Sequence, residues 1–145
     1  MQAGSEDDPC EEISLVGFNR HIGPIFLLAP EDDGTQRYVF TAREIHLNAA
    51  GTVHGGMLMS FMDVAMSKTA RGASGTSRLS TIVLSCDFVS PARFGDRIEA
   101  RVRVRRRARS VVFLSGELVA EVRTLLIATG LWKAVPSACA IWRVR

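Results

Sequence analysis

The segment Asn48-Ala49-Ala50-Gly51-Thr52-Val53-His54-Gly55-Gly56 leads into an apolar run that carries one carboxylate, Asp63. Glycines at the entry to a helix leave backbone N–H groups unpaired and unshielded. The helix dipole adds partial positive charge at the same point, so the tip suits a developing oxyanion. A carboxylate among Met57, Leu58, Phe61, Met62, Val64, Ala65 and Met66 is costly unless it is paired or used. A base or nucleophile together with an oxyanion site is what acyl transfer requires. The plain alternatives are that the glycines only permit close helix–sheet packing, and that Asp63 is a solvated helix residue.

Asp63 follows Gly55 by eight residues, which is about 12 Å along a helix axis. No side chain spans that gap. If both groups serve one reaction, they come from two chains. Two such helices, antiparallel and side by side, place each Asp63 at the other's tip, which predicts a symmetric dimer with two equivalent shared sites.

A helix from about 54 to 71 must hold these groups, and its apolar positions cover enough of the circumference to predict burial on more than one side. Gly72, Ser74, Gly75 and Ser77 mark its end. Upstream, residues 12–19 read as a short helix and the proline-bounded stretch 24–30 as a strand. Glu31-Asp32-Asp33-Gly34 is turn chemistry, and 36–44 is the returning strand of a hairpin. Downstream, 80–89, 96–107, 110–119 and 121–134 read as strands. In 96–107, Ile98, Ala100, Val102 and Val104 alternate with Arg97, Glu99, Arg101, Arg103 and Arg105, the period of a half-buried strand. Short links predict that these strands are antiparallel neighbours in a meander. One long helix with one sheet curled around it is an α+β arrangement. Residues 1–11 read as a flexible polar tail, 12–135 as a single domain, and 136–145 as a C-terminal extension whose Trp142 leaves docking open as an alternative to a loose end.

The pattern Asn-x-x-Gly-x-x-His-Gly-Gly, with Asp seven residues after the second glycine, is followed by Phe88-Val89-Ser90-Pro91-Ala92-Arg93-Phe94-Gly95-Asp96. Together they resemble the hotdog-fold acyl-CoA thioesterases of the phenylacetate-pathway (PaaI) and thioesterase superfamily member 2 type, over about residues 20–133. The resemblance implies a curved antiparallel sheet wrapped around one long central α-helix. It implies that Gly55 gives the main oxyanion N–H with His54 beside it, that Gly56 contacts the substrate, and that Asn48 orients the thioester or the attacking water. Asp63 of the other chain is then general base or nucleophile, and Thr81 holds water near that carboxylate. Nucleotide contacts map to Ser90, Arg93, Arg106, Arg107, Arg109 and Ser110, with Ala108 standing where the family's turn has glycine. The implied reaction is hydrolysis of a small or medium acyl- or aryl-CoA to the acid and CoA. It uses no metal, and no cofactor beyond the CoA of the substrate itself. The implied assembly is a homodimer or a dimer of dimers, that is, a homotetramer. Each residue also has an ordinary use: His54 as a helix-start residue, Asn48 as a turn cap, Thr81 as a strand former.

Bulk properties narrow the alternatives. The chain has 145 residues, 47% apolar and 23% charged, as a globular domain does. No apolar run approaches the roughly 18 residues of a membrane span. The acidic N-terminus lacks the basic-then-apolar order of a secretory signal. Cys10, Cys86 and Cys139 form no CxxC pair, and a reduced cytoplasm is the expected compartment. The net charge of +3 is concentrated between Arg101 and Arg109. Arginine pairs phosphate bidentately, so this stripe suits a local anion. It lacks the interleaved aromatics of a nucleic-acid reader. The remaining competitor is a hotdog protein that binds acyl-CoA without hydrolysing it, which has no need of a carboxylate at the acyl carbon.

Overall fold

In the computed structural model, residues 8–76 and 78–135 are described. The expected C-terminal extension, with Trp142, lies outside them. Seven strands form one antiparallel sheet: β1 (Glu11–Glu12), β2 (Phe26–Leu28), β3 (Gln36–Thr41), β4 (Leu79–Phe88), β5 (Arg97–Arg107), β6 (Val111–Ala120) and β7 (Arg123–Ala134). Their order across the sheet is β1-β2-β3-β5-β6-β7-β4. The helix α2 (Gly55–Ser74) packs on one face of the sheet, and a short helix α1 (Gly17–Ile22) precedes β2. Among the described residues, no helix is long and apolar enough to cross a membrane.

Helix α2 begins one residue after His54, as its sequence predicts, and ends on Gly75 with φ +69°, the left-handed conformation glycine accepts freely. Its buried residues Met57, Leu58, Phe61, Met62, Ala65, Met66, Thr69 and Ala70 form one face. The apolar positions are not covered all round within the chain: Met59 is exposed, and Asp63, Val64 and Ser67 are partly exposed along the flanks of the buried face. The helix comes close to the sheet at Gly116, where an added Cβ would lie 3.1 Å from the Met66 methyl and 3.2 Å from the Met62 sulfur. Trp132, fully buried, occupies the space a side chain at Gly130 would need, and its Nε1–H donates to Ser67 Oγ at 2.8 Å. Gly130→Ala drives a methyl into the indole and is expected to cost about 1–3 kcal/mol, read as a lower midpoint in urea with an unchanged slope.

Two expectations fail for reasons of packing. Residues 12–19 do not form the helix. Glu11–Glu12 pairs with β2, Cys10 N–H donates to the Leu27 carbonyl, and the buried Ser14 hydroxyl accepts the Ile25 N–H at 2.8 Å. These bonds hold the segment extended as far as Val16, and the helix starts at Gly17. The four late strands are not a simple meander either. β4 leads into β5 through residues 89–96, yet β4 pairs with β7. The link runs along the start of β7, where Val89 N–H donates to the Leu125 carbonyl and Ser90 Oγ–H to the Thr124 carbonyl. Pro91 has no N–H to continue a ladder.

The alternation in β5 holds through Ile98, Ala100 and Val102, all fully buried. A bulge between Val104 and Arg106 then inserts a residue. Arg107 is thereby turned onto the helix side, opposite buried Val112, and its guanidinium donates to the Ser74 carbonyl at 3.3 Å. On the other face Glu99, only 7% exposed, accepts two bonds from Arg37 (2.8 and 3.0 Å) and one from Arg101 (3.0 Å). Burial raises the Glu99 pKa, but the hydrogen bonds and charges of Arg37 and Arg101 outweigh it and hold the carboxyl below its ordinary value of 4.5. A lowered folded pKa gives stability that is present above the unfolded value and is lost as pH falls through the folded one. Glu99→Gln is therefore expected to unfold at a lower temperature at pH 7, by a margin that shrinks as pH falls below about 4.5. Thermal melts of both proteins across that range measure it.

Candidate active site

The loop before α2 is a small hairpin. Leu47 and Val53 bridge it, and Asn48 N–H donates to the Thr52 carbonyl. Asn48 fills its own turn: its Oδ1 accepts from Ala50 N–H (2.9 Å) and Thr52 N–H (3.2 Å), and its Nδ2 donates to Thr52 Oγ1 (2.9 Å). Gly51, at φ +80°, makes the tip. The second arm is tied to the 89–96 link by Val53 N–H to the Ala92 carbonyl and by a bridge from Thr52 to Arg93. Asp96 pins that link by accepting from Arg93 N–H (2.9 Å) and from the Arg123 guanidinium (2.8 Å). Burial opposes the charge of Asp96, but these bonds outweigh it and keep the pKa low.

His54 caps α2: its Nδ1 accepts the Gly56 N–H at 2.8 Å, and its carbonyl accepts from Met57. That is the helix-start role. It also consumes the Gly56 donor. The Gly55 N–H has no partner among the described residues and stands at the positive end of α2. The Phe88 ring covers Gly55, and an added Cβ there would meet it at 3.2 Å. Glycine is what lets this ring and a ligand approach the tip together.

Asp63 and Thr81 are brought together. The Thr81 hydroxyl donates to Asp63 Oδ1 at 2.9 Å, between α2 and β4, leaving Oδ2 open. In its own chain Asp63 is two helical turns from the Gly55 tip. A groove of about 440 Å³ runs from Asp63 along Ser67, Lys68 and Arg71, with Glu12 on its opposite wall. The phosphate candidates divide. Ser90 and Arg93 lie at the tip end of α2, with the Ser90 hydroxyl already spent on Thr124. Arg106, Arg107, Arg109 and Ser110 are exposed at the other end, where Arg107 bonds Ser74. The 20-residue α2 separates the two groups by about 30 Å.

Residues 50–127 match the thioesterase superfamily, and this is more than half of the chain. The chain belongs to the thioesterase superfamily. The human acyl-coenzyme A thioesterase 13 is 31% identical over 117 residues, which span 78% of this chain and 80% of that protein. The phenylacetic acid degradation protein PaaI of Thermus thermophilus superposes with a TM-score of 0.72 at 24% identity, over 81% of this chain and 98% of the other. Mouse thioesterase superfamily member 2 superposes with a TM-score of 0.71 at 19% identity, over 83% and 90%. The hotdog fold of this superfamily member is therefore the observed one, with α2 as its central helix. Two residues bearing on its site were not singled out from sequence. Phe88 had a signal, as the aromatic that opens the second motif. His46 had none: only the fold shows that it lies beneath the hairpin that carries Gly55.

Proposed function

We propose that this chain hydrolyses acyl-CoA thioesters in sites shared between two copies of itself. The observation that carries the reading is the separation of Asp63, with one open oxygen, from the unpartnered Gly55 N–H of its own helix tip. A second copy, antiparallel along α2, supplies what each chain lacks. The partner subunit's Asp63 reaches Gly55, and the partner subunit's Ser74 lies eleven residues further along its helix, about 16 Å beyond the tip. The β5–β6 turn with Arg106, Arg109 and Ser110 travels with that end. The two sets of phosphate candidates, far apart in one chain, then flank one site, with Ser90 and Arg93 beside the tip and the partner's turn about 16 Å beyond it. β4 gives this pairing an edge. It is ten residues long and outermost in the sheet, with Ile82, Val83 and Phe88 about half exposed. A long apolar edge of this kind is one that proteins cover.

In the reaction, a water held by the partner subunit's Asp63 and Thr81 adds to the thioester carbonyl carbon. Its proton passes to the carboxylate, and the carbonyl oxygen takes its charge onto the Gly55 N–H. The C–S bond then breaks, the leaving sulfur collects the proton, and the acid and CoA are released. The same geometry admits direct attack by the carboxylate, giving an anhydride that water opens. No metal or further cofactor enters either route. The free thiols Cys10 and Cys86 fit a reducing cytoplasm.

A panel of aryl-, short- and medium-chain acyl-CoA substrates with free-thiol detection tests the activity. Saturable turnover is expected, and tight binding without thiol release would leave a binding protein in its place. Arg93→Gln is expected to raise KM several-fold with kcat unchanged, as loss of uniform binding does, with the effect fading as salt rises.

A further inference from the structure

His46 lies outside the reaction just described, yet it is the buried side chain on which the hairpin rests. It is 4% exposed. Its Nδ1 accepts the Arg43 N–H at 2.9 Å, and its Nε2–H donates to the Ile22 carbonyl at 2.7 Å. The ring stands edge-on to Phe40, centroids 5.3 Å apart, and Phe40 packs in the same manner on Phe61 of α2 at 4.7 Å. Its main-chain carbonyl accepts the His54 N–H at 2.8 Å. The next N–H along the chain is that of Gly55. One residue thus ties α1, β3 and the 3-10 turn Glu44–His46 to the peptide that precedes the oxyanion donor.

We propose that His46 is a positioning residue for the oxyanion site: its neutral ring and its carbonyl together set the direction of the Gly55 N–H, and protonating the ring unseats that donor. The inference rests on the thioesterase reading of the site. The reason is the donor and acceptor inventory of imidazole. Only the neutral ring, protonated at Nε2, can accept from Arg43 and donate to Ile22 at once. The imidazolium presents N–H to N–H at Arg43, at a ring that is almost wholly buried. The ring faces Phe40 from β3, the Ile22 carbonyl closing α1, and the Arg43 main chain. The charge acting on it is that of Arg43, whose guanidinium is turned to the Gly23 carbonyl. Burial first, and Arg43 further, press the ring toward its neutral form, holding its pKa below 6.5 against the pull of the Ile22 bond. A misdirected donor weakens the transition state more than substrate binding, so the cost falls on kcat.

Two substitutions separate positioning from mere packing. Glutamine can accept from Arg43 and donate to Ile22 but does not titrate, whereas leucine fills the space and makes neither bond. His46→Leu is expected to lower kcat about tenfold or more with KM within about threefold, measured where circular dichroism shows each variant folded. His46→Gln is expected to hold kcat within about threefold of the parent. In amide NMR of the oligomer carrying His54→Asn, whose side chain can cap the helix without a titrating ring, the Gly55 resonance is expected to follow the titration of the His46 ring below pH 6.5, a step that His46→Gln in the same background lacks. The inference is overturned by a Gly55 amide indifferent to the His46 titration, by the same step persisting in His46→Gln, or by a His46→Leu enzyme whose loss is confined to KM. The NMR arm needs no turnover. If no acyl-CoA is hydrolysed, the thioesterase reading fails while the amide titration still decides the coupling.

Discussion

Asp63→Asn is expected to lower kcat for thioester hydrolysis at least about a hundredfold, the scale of a lost general base or nucleophile. Sedimentation is expected to show the parent oligomer. The substitution is nearly isosteric, and the carbonyl oxygen of the introduced amide can still accept the Thr81 hydroxyl that Asp63 Oδ1 accepts at 2.9 Å. The placement of α2 against β4 therefore survives. What disappears is the capacity to take a proton from water or to attack the acyl carbon. KM is expected to change little, because the proposed nucleotide contacts lie at other residues. The contribution of the Thr81 hydroxyl can be separated from that of the carboxylate it bonds. Thr81→Val is expected to leave the carboxylate in place but lose the hydroxyl that orients it, costing activity by a smaller factor than Asp63→Asn. An unchanged rate in Asp63→Asn would remove the carboxylate from the chemistry and leave the helix tip as a binding feature alone.

The parts of this molecule that could be read from sequence are those fixed by local chemistry. His54 marks the start of α2 because its ring can accept an N–H from the first turn. Asn48 marks the turn because its amide closes on Ala50 and Thr52. The inward set Ile98, Ala100 and Val102 is legible because a strand has period two. What could not be read depends on which surfaces meet. The sequence around Val104 carries no mark of the bulge, which appears only when β5 is set against β6, and it reverses the face of Arg107. The helix expected at 12–19 gives way because the Ser14 hydroxyl finds the Ile25 N–H across eleven residues. The position of β4 beside β7 follows from the path of the 89–96 link, whose hydrogen bonds go to the start of β7 and to the hairpin. Within the site, the Asp63–Thr81 contact joins a helix to an edge strand eighteen residues later. The resemblance anticipated it, and the fold supplies the distance. The arginine stripe was read as one anion site. The structure pairs two of its six arginines with carboxylates, Arg101 with Glu99 and Glu31 and Arg103 with Asp33, and turns Arg105 to the Ser115 hydroxyl and Arg107 to the Ser74 carbonyl. Arg106 and Arg109 remain without a partner among the described residues. Charge counted along a strand does not distinguish an arginine already holding a carboxylate from one open to a phosphate.

Gly55→Pro tests the other half of the site and, combined with Asp63→Asn, the sharing itself. Proline is favoured at the first position of a helix, where its fixed φ suits the turn and no intrahelical N–H is needed. His54 is already extended, with ψ 134°, as the residue before a proline must be. The ring would press on Phe88, a side chain at the surface that can yield. The substitution therefore deletes the oxyanion N–H with little harm to the helix, and kcat is expected to fall about 10²–10³-fold. Neither variant alone has an intact site. When the two are mixed and allowed to exchange subunits, a hybrid dimer pairs the Asp63 of the Gly55→Pro chain with the Gly55 of the Asp63→Asn chain. One of its two sites is then wild type and the other carries both lesions. In a random one-to-one exchange half the dimers are hybrids, so about a quarter of all sites recover. Activity rising from near zero to about that fraction of the parent is the expected result. A site built within one chain predicts no recovery at any mixing ratio, because every chain in the mixture carries one lesion in its own site. Restored activity can arise only if acid and helix tip meet across the two-fold axis, which is what the distance between them within α2 requires.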